Sequence, residues 1–352
     1  MSSPAPLSPA LLNIIAERTD LREGAEGVRQ IITQIFQIGP VPIKPLAVKV
    51  SLPVPVLAAV RRELEQEALL TRDAKGLLLS ERGLQFATEY LGLTAGPGTV
   101  SADPADVGDT FHEQAALDLF NKYRGDFAAD VTLDQARATP ECSIARAQYM
   151  HATGAIEGRN ILILGDDDLI SLAIASYAAV HNLNVSAITT LDIDERILAC
   201  IDSAAAELGV NIHTQLADLR NPLQADLNGR FDVVQTDPPY TLEGAELFLD
   251  RALAGLTANQ HGQHIFFSFG DQVPMERLAV ERAINDRGLI VEASIQGFNS
   301  YEGAAIIGST SRLRHLITTE AARPGNTGQH TDALYTAEVR PRNRALRDPK
   351  KI

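Results

Sequence analysis

The sequence predicts an α/β protein: a doubly wound, Rossmann-like sheet preceded by a winged-helix-like domain. Three observations carry that prediction. From Asn160 onward, short branched apolar runs alternate with segments of helical spacing, the pattern of a parallel sheet with crossover helices. Acidic residues recur just past those runs, at Asp166, Asp192, Asp218 and Asp237, and open α/β sheets hold ligands outside the carboxyl ends of their strands. Residues 24–93 read as three helices, a hairpin and a closing helix.

Taken in order, residues 1–23 read as a leader containing Pro and Ser. Residues 24–37 carry Val28, Ile31, Ile32, Ile35 and Phe36 at helical spacing and stop at Gly39-Pro40. A short helix over 43–50 follows, and Ser51 is expected to cap the next, 53–67, whose Val56, Leu57, Val60 and Leu64 share one face. Residues 69–72 and 76–80 suit a hairpin, and 81–91 a helix. The third helix mixes Arg61 and Arg62 with Glu63, Glu65 and Glu67. That leaves no clean basic stripe for DNA, so a scaffolding or dimerisation role is expected. Residues 94–155 read as a linker and connecting helices. The linker, 94–109, is rich in Gly, Pro, Ser and Asp; a helix follows over 111–123, a loop over 130–138, and a helix opens at Thr139-Pro140-Glu141 with a cap, a first-turn proline and an acid.

The catalytic domain is expected over 156–320. Its strands fall at 161–164, 185–191, 211–216, 231–236, 264–269, near 289–295 and at 313–318, with helices at 169–182, 195–208, 244–256 and 275–287. Residues 321–352 lose apolar periodicity and carry seven basic against three acidic residues, which reads as a flexible basic tail.

The chain has 352 residues, 45% of them hydrophobic, and a net charge of −14. Without the basic tail the remainder carries −18, which opposes a nucleic-acid partner and favours a cationic one. No stretch approaches the roughly 18 uncharged apolar residues of a membrane span, and residues 1–20 lack a basic start with an apolar core, so a cytoplasmic protein without a membrane partner is expected. Cys142 and Cys200 lack metal or disulfide spacing and read as structural thiols.

The chemistry concentrates at the strand ends. After the first strand stands Gly165-Asp166-Asp167-Asp168, three aspartates where nucleotide-binding turns usually place glycines. Such a turn repels anions and holds cations. Asp192, ending the second strand, suits the hydroxyls of a ribose; Asp218 suits an adenine amino group; Asp194 suits a helix cap. In Asp237-Pro238-Pro239-Tyr240 the two prolines end strand pairing and hold the carboxylate and ring in one arrangement, as in amino methyltransferases that act on exocyclic nitrogens.

Gly165-Asp166-Asp167-Asp168-Leu169, Leu191-Asp192-Ile193-Asp194-Glu195-Arg196, Thr236-Asp237-Pro238-Pro239-Tyr240-Thr241 and Phe298-Asn299-Ser300-Tyr301 resemble the branched-chain polyamine synthases, the N4-bis(aminopropyl)spermidine synthases. Leu133-Asp134-Gln135 and Thr139-Pro140-Glu141 also fit, and the resemblance spans about residues 25–320. It implies a class I methyltransferase-like fold and transfer of aminopropyl groups from decarboxylated S-adenosylmethionine, as co-substrate, to the secondary amine of spermidine. No prosthetic group or metal is implied, and a homodimer is the family expectation. Many archaeal members have Glu where this chain has Tyr240. On this reading Gly165, Asp166, Asp192, Asp218 and Leu219 bind the donor, while Asp168, Asp237, Pro238, Tyr240 and Tyr301 bind the acceptor. Asp167 is the expected base and amine holder, Asp166 and Asp168 hold ammonium groups or water, Asp237 orients the attacking nitrogen, and Tyr240 offers its ring to a cation. An amino methyltransferase on nucleic acid or protein would need room for a methionine carboxylate, which three aspartates oppose. A polyamine-sensing winged-helix regulator would need a basic recognition helix.

Overall fold

The computed structural model describes residues 4–94, 113–258, 261–270, 272–302, 310–336 and 338. The predicted linker, apart from Thr94, and the basic residues from Arg340 onward lie outside them.

The amino-terminal unit begins earlier than the sequence suggested. Residues 10–19, expected to be leader, form α1 (Ala10–Thr19), whose Leu11, Leu12 and Ile15 repeat at i, i+1 and i+4 and are buried against α2 (Gly24–Ile38) and α4 (Val54–Gln66). Its neighbouring prolines and serines obscured a genuine apolar stripe. α3 (Ile43–Lys49) lies between α2 and α4, and β1 (Leu70–Arg72) pairs antiparallel with β2 (Leu77–Leu79) before α5 (Glu81–Gln85) and a π turn, Phe86–Tyr90. Ser51 does not cap α4: it takes a left-handed conformation at φ 53°, and Pro53 occupies the cap position instead.

The second unit holds the seven-stranded sheet, in the order β5-β4-β3-β6-β7-β9-β8. β3 (Asn160–Leu164), β4 (Ala187–Asp192), β5 (Ile212–Leu216), β6 (Val233–Thr236) and β7 (His264–Gly270) run parallel, whereas β9 (Thr310–Thr318) is antiparallel to both β7 and β8 (Leu289–Ser300). β8 runs five residues past its predicted end. Ile161, Leu162, Ile163 and Leu164 are wholly buried because β3 is covered on both faces. One face carries α6 (Gln114–Tyr123), α7 (Pro140–Ala152), α8 (Ile170–His181) and α9 (Glu195–Leu208); the other carries α10 (Leu242–Gly255) and α11 (Pro274–Asp286). Since β4 lies on one side of β3 and β6 on the other, the chain reverses direction across the sheet at β3, and a crevice opens at the carboxyl ends of these strands. No single helix among the described residues is long and apolar enough to cross a membrane.

A buried ion pair joins the two units. Arg159, just before β3, forks onto both oxygens of Glu26 of α2, with Nη1 to Oε2 at 2.9 Å, and His264 of β7 stands 3.5 Å from Glu26. Burial opposes a charged Glu26, but Arg159 and His264 outweigh it and hold the carboxyl below the usual range. Arg29 of α2 adds hydrogen bonds to the carbonyls of Leu91 (2.9 Å) and Glu157 (2.7 Å). Removing one partner of such a pair leaves an uncompensated buried charge. Glu26→Ala should therefore cost about 3 kcal/mol or more, read from the denaturant midpoint at pH 7. A loss under about 1 kcal/mol would mean that the junction does not depend on this pair.

Candidate active site

The ends of β3, β4, β5 and β6 each deliver one acid to the crevice: Asp167, Asp192, Asp218 and Asp237. Gly165 follows β3 at φ 70°, a conformation that favours glycine, and the chain then turns through Asp166 to Leu169 into α8. The three aspartates of this turn go three ways.

Asp166 points back at the helix. Its carboxylate accepts from the backbone of Ile170 (2.5 Å) and Ser171 (3.3 Å), while its own N–H donates to Asp192 at 2.7 Å. Burial, with Asp192 adding repulsion, pushes Asp166 up to about 8. It is a capping residue and does not line the cavity, contrary to its expected role with ammonium groups.

Asp168 points under the crevice. Arg146 of α7 donates to its Oδ2 at 2.6 Å, and Ala138 N–H donates to its Oδ1. Burial raises Asp168 and Arg146 pulls it back, leaving it at about 6. Its charge thus faces a protein cation, and Asp168, expected to bind the acceptor, does not line the cavity.

Asp167 alone of the three lines the cavity, an open cleft with about 70 Å³ of interior space. Ala136 N–H reaches it at 3.0 Å. Burial first, then Asp168, Asp237 and Asp192, lift it well above the ordinary carboxylate range.

Asp192 takes N–H bonds on both oxygens, from Asp166 and from Asp194 (2.8 Å), which fixes its carboxylate at the cavity wall. Asp218 and Leu219 also line the cavity, but Arg220 grips Asp218 through Nε (3.0 Å) and Nη2 (2.8 Å) and holds it below the usual range. Asp194 caps α9 as expected and is held at about 2 by Arg196.

Asp237 reaches the cavity from β6, with one oxygen already engaged: Oδ2 accepts from Tyr301 at 2.6 Å and Arg146 at 3.1 Å. Tyr240 donates its hydroxyl to Tyr301 at 2.8 Å, and its ring packs on Phe269 and over Gly270, where a side chain would collide with it. Neither tyrosine lines the cavity, and the lining proline is Pro239 rather than Pro238. The expected ring-to-cation contact of Tyr240 is thus replaced by a hydroxyl chain that steadies Asp237 from behind.

Several residues at or next to the cavity escaped sequence reasoning. Arg146 sits among Ile144, Ala147, Tyr149 and Met150 on a helix buried on more than one face, so no clean polar stripe marked it. Leu334 and Tyr335 line the cavity although they fall in the segment read as tail. That segment is anchored: Asp250 accepts from the backbone of Gly325 (2.6 Å) and Asn326 (3.0 Å), Thr241 donates to the Leu334 carbonyl (2.8 Å), and Thr336 N–H donates to Asp134 (2.6 Å). The basic residues further on had dominated its composition. Leu133, Asp134 and Gln135 line the cavity as well, with Asp134 bonded to this segment.

A family model for the branched-chain polyamine synthase A C-terminal domain matches residues 119–352. The chain belongs to the branched-chain polyamine synthase family. Within reach of that family, the uncharacterized protein MJ0675 of Methanocaldococcus jannaschii is 38% identical over 94% of this chain and 83% of its own. The N(4)-bis(aminopropyl)spermidine synthase of Thermococcus kodakarensis is 28% identical over 75% of each chain. Among solved structures, the branched-chain polyamine synthase of Thermus thermophilus, in complex with N4-aminopropylspermidine and 5'-methylthioadenosine, superposes with a TM-score of 0.57 over 94% of this chain and 98% of its own, at 24% identity. That likeness is one of fold. It extends the branched-chain polyamine synthase architecture across both units of this chain.

Asp166, Asp167 and Asp168 all bind protons more tightly in the folded state than in the unfolded one. Their stabilising contribution is complete below about pH 4 and is lost as pH rises through about 6 to 8 and above. A cation seated in the cavity offsets that loss. Thermal unfolding from pH 6 to 9 should show the free protein losing stability, with a cationic ligand raising Tm more at pH 9 than at pH 6. An equal shift at both would contradict the assignment.

Proposed function

We propose that this branched-chain polyamine synthase transfers aminopropyl groups from decarboxylated S-adenosylmethionine to the secondary amine of spermidine, giving N4-aminopropylspermidine, N4-bis(aminopropyl)spermidine and methylthioadenosine. The observation that carries the reading is Asp167, a cavity-facing carboxylate at the turn where anion-binding relatives of the fold present glycine. A donor with its carboxylate removed presents only sulfonium and ammonium charge there, and spermidine adds more. We keep the cytoplasmic placement as the sequence reading and the homodimer as the family expectation; the acidic balance suits a small polycation better than a nucleic acid.

On this reading the adenosine lies between Asp192 and the Asp218–Leu219 wall, and the aminopropyl chain points toward Asp167. The acceptor nitrogen approaches past the open side of Asp237. An amine of ordinary basicity, with a pKa near 10.4, costs about 4.6 kcal/mol to neutralise at pH 7. A carboxylate with raised proton affinity narrows that gap. The arriving cations favour the charged form of Asp167, its proton leaves to solvent, and the carboxylate so formed takes the proton of the acceptor ammonium. The freed nitrogen attacks the aminopropyl carbon in line, an N–C bond forms, and the C–S bond breaks with its electron pair going to sulfur. Neutral methylthioadenosine leaves. After the second round the nitrogen is quaternary and permanently charged, and the acidic wall balances it.

Incubation of the purified enzyme with decarboxylated S-adenosylmethionine and spermidine, followed by mass analysis, tests the reaction: masses for one and then two added aminopropyl groups are expected, and spermidine recovered unchanged would reject it. Asp167→Asn should lower kcat by roughly 10²- to 10⁴-fold, and near-native turnover would remove Asp167 as the base. Calorimetry should show tighter binding of the decarboxylated donor than of intact S-adenosylmethionine; the reverse order would favour a methyltransferase.

A further inference from the structure

One guanidinium divides the acidic cluster unequally. Arg146 is 1% exposed, and each of its nitrogens is engaged: Nη1 with Asp168 (2.6 Å), Nη2 with Asp237 (3.1 Å) and Tyr301 (3.3 Å), and Nε with Asn299 (2.7 Å). Asn299 is held in turn by Ser311 at 2.8 Å. A planar fork locked in this way can address two carboxylates at fixed angles, which an ammonium cannot. Asp167 accepts a hydrogen bond from the Ala136 N–H at 3.0 Å and makes no ion pair among the described residues. The groups that bear on it are Asp168 from its own turn, Asp237 after β6 and Asp192 at the end of β4, all acidic. Arg146 of α7 and Tyr301 at the end of β8 stand behind Asp168 and Asp237.

We propose that Arg146 is a positioning residue that assigns the proton-accepting role to Asp167: it binds Asp168 and Asp237 and leaves Asp167 as the one acid of these three without an ion pair among the described residues. Asp168 and Asp237 then serve as fixed negative charge, one beneath the cavity and one beside the acceptor nitrogen, and the mobile proton is confined to Asp167. This inference rests on the aminopropyl-transfer reading for its catalytic meaning, but the division of charge does not.

Two measurements separate the parts. Carboxyl-carbon NMR titration of the aspartates requires no substrate. The wild-type protein should show several carboxyls titrating above the ordinary range, Asp166 and Asp168 among them, and Asp167→Asn should remove one of them and leave the Asp166 signal in place. In Arg146→Lys and Arg146→Met, loss of the fork should raise the titration of Asp168, which the guanidinium now pulls down, and lower that of Asp167 as its neighbour takes the proton. An Asp167 midpoint unchanged in both variants, or in Arg146→Lys alone if Arg146→Met does not fold, overturns the proposal. In turnover, Arg146→Lys should lower kcat by roughly 10- to 100-fold, leave KM for the decarboxylated donor within about 3-fold, and displace the limb of the kcat–pH profile. Guanidinium ion added to Arg146→Ala should restore part of the loss. A variant that is slower with an unmoved profile and no rescue shows a merely structural arginine. If the wild-type enzyme makes no aminopropylated product, the functional reading falls, and the charge division stands or falls on the titration.

Discussion

The carboxyl edge of the sheet depends on a single buried guanidinium. Burying Arg146 would be costly alone, and two carboxylates, a carboxamide and a hydroxyl offset that cost. The same contacts join α7, the turn after β3, the end of β6 and the end of β8. They also hold the covering loop in register: Ala136 and Ala138 donate to the acidic turn, Thr139 donates to the Ser300 carbonyl at 2.9 Å, and Glu302 to that of Arg137 at 2.8 Å. Without a cation at this point, four acids would converge on one volume.

The remainder of the molecule holds that edge steady from outside. On one side, the Glu26–Arg159 pair and Arg29 bind the amino-terminal unit to the base of β3 and to the chain before it. On the other, Asp250 of α10 is forked by Arg287 (2.6 and 3.0 Å) and also receives the backbone of Gly325 and Asn326, while Arg251 donates to the carbonyls of Asn326 (3.2 Å) and Gly328 (2.7 Å). These bonds carry the chain back to the cavity, where Leu334 and Tyr335 complete its wall. The acidic turn thus lies between a rigid base and an anchored cover, and its charges cannot relax away from one another.

Much of this was legible locally. Ile161 to Leu164 form an apolar run whose only comfortable place is a strand covered on both faces, and Gly165 ends it because the backbone there needs a positive φ. Asp192 and Asp237 fell at the ends of strands for the same reason: apolar runs stop where the sheet stops. The errors were also local in origin. Prolines and serines before Ala10 hid a helix, basic residues after Glu338 coloured the reading of an anchored segment, and Ser51 had cap chemistry but the wrong backbone conformation. Arg146 left almost no trace, since a helix packed on several faces has no polar side on which a charge looks out of place.

By itself, then, the sequence determined the doubly wound sheet, the placing of acids at its carboxyl ends and the cationic character of what they face, because periodicity, turn residues and charge act over a few residues at a time. Only the tertiary structure decided what each acid does. Asp166, Asp167 and Asp168 are adjacent and chemically identical, yet one caps a helix, one faces the cavity and one pairs with Arg146. That difference arises from the directions of three side chains and from a cation 22 residues distant in sequence, neither of which local pattern can encode.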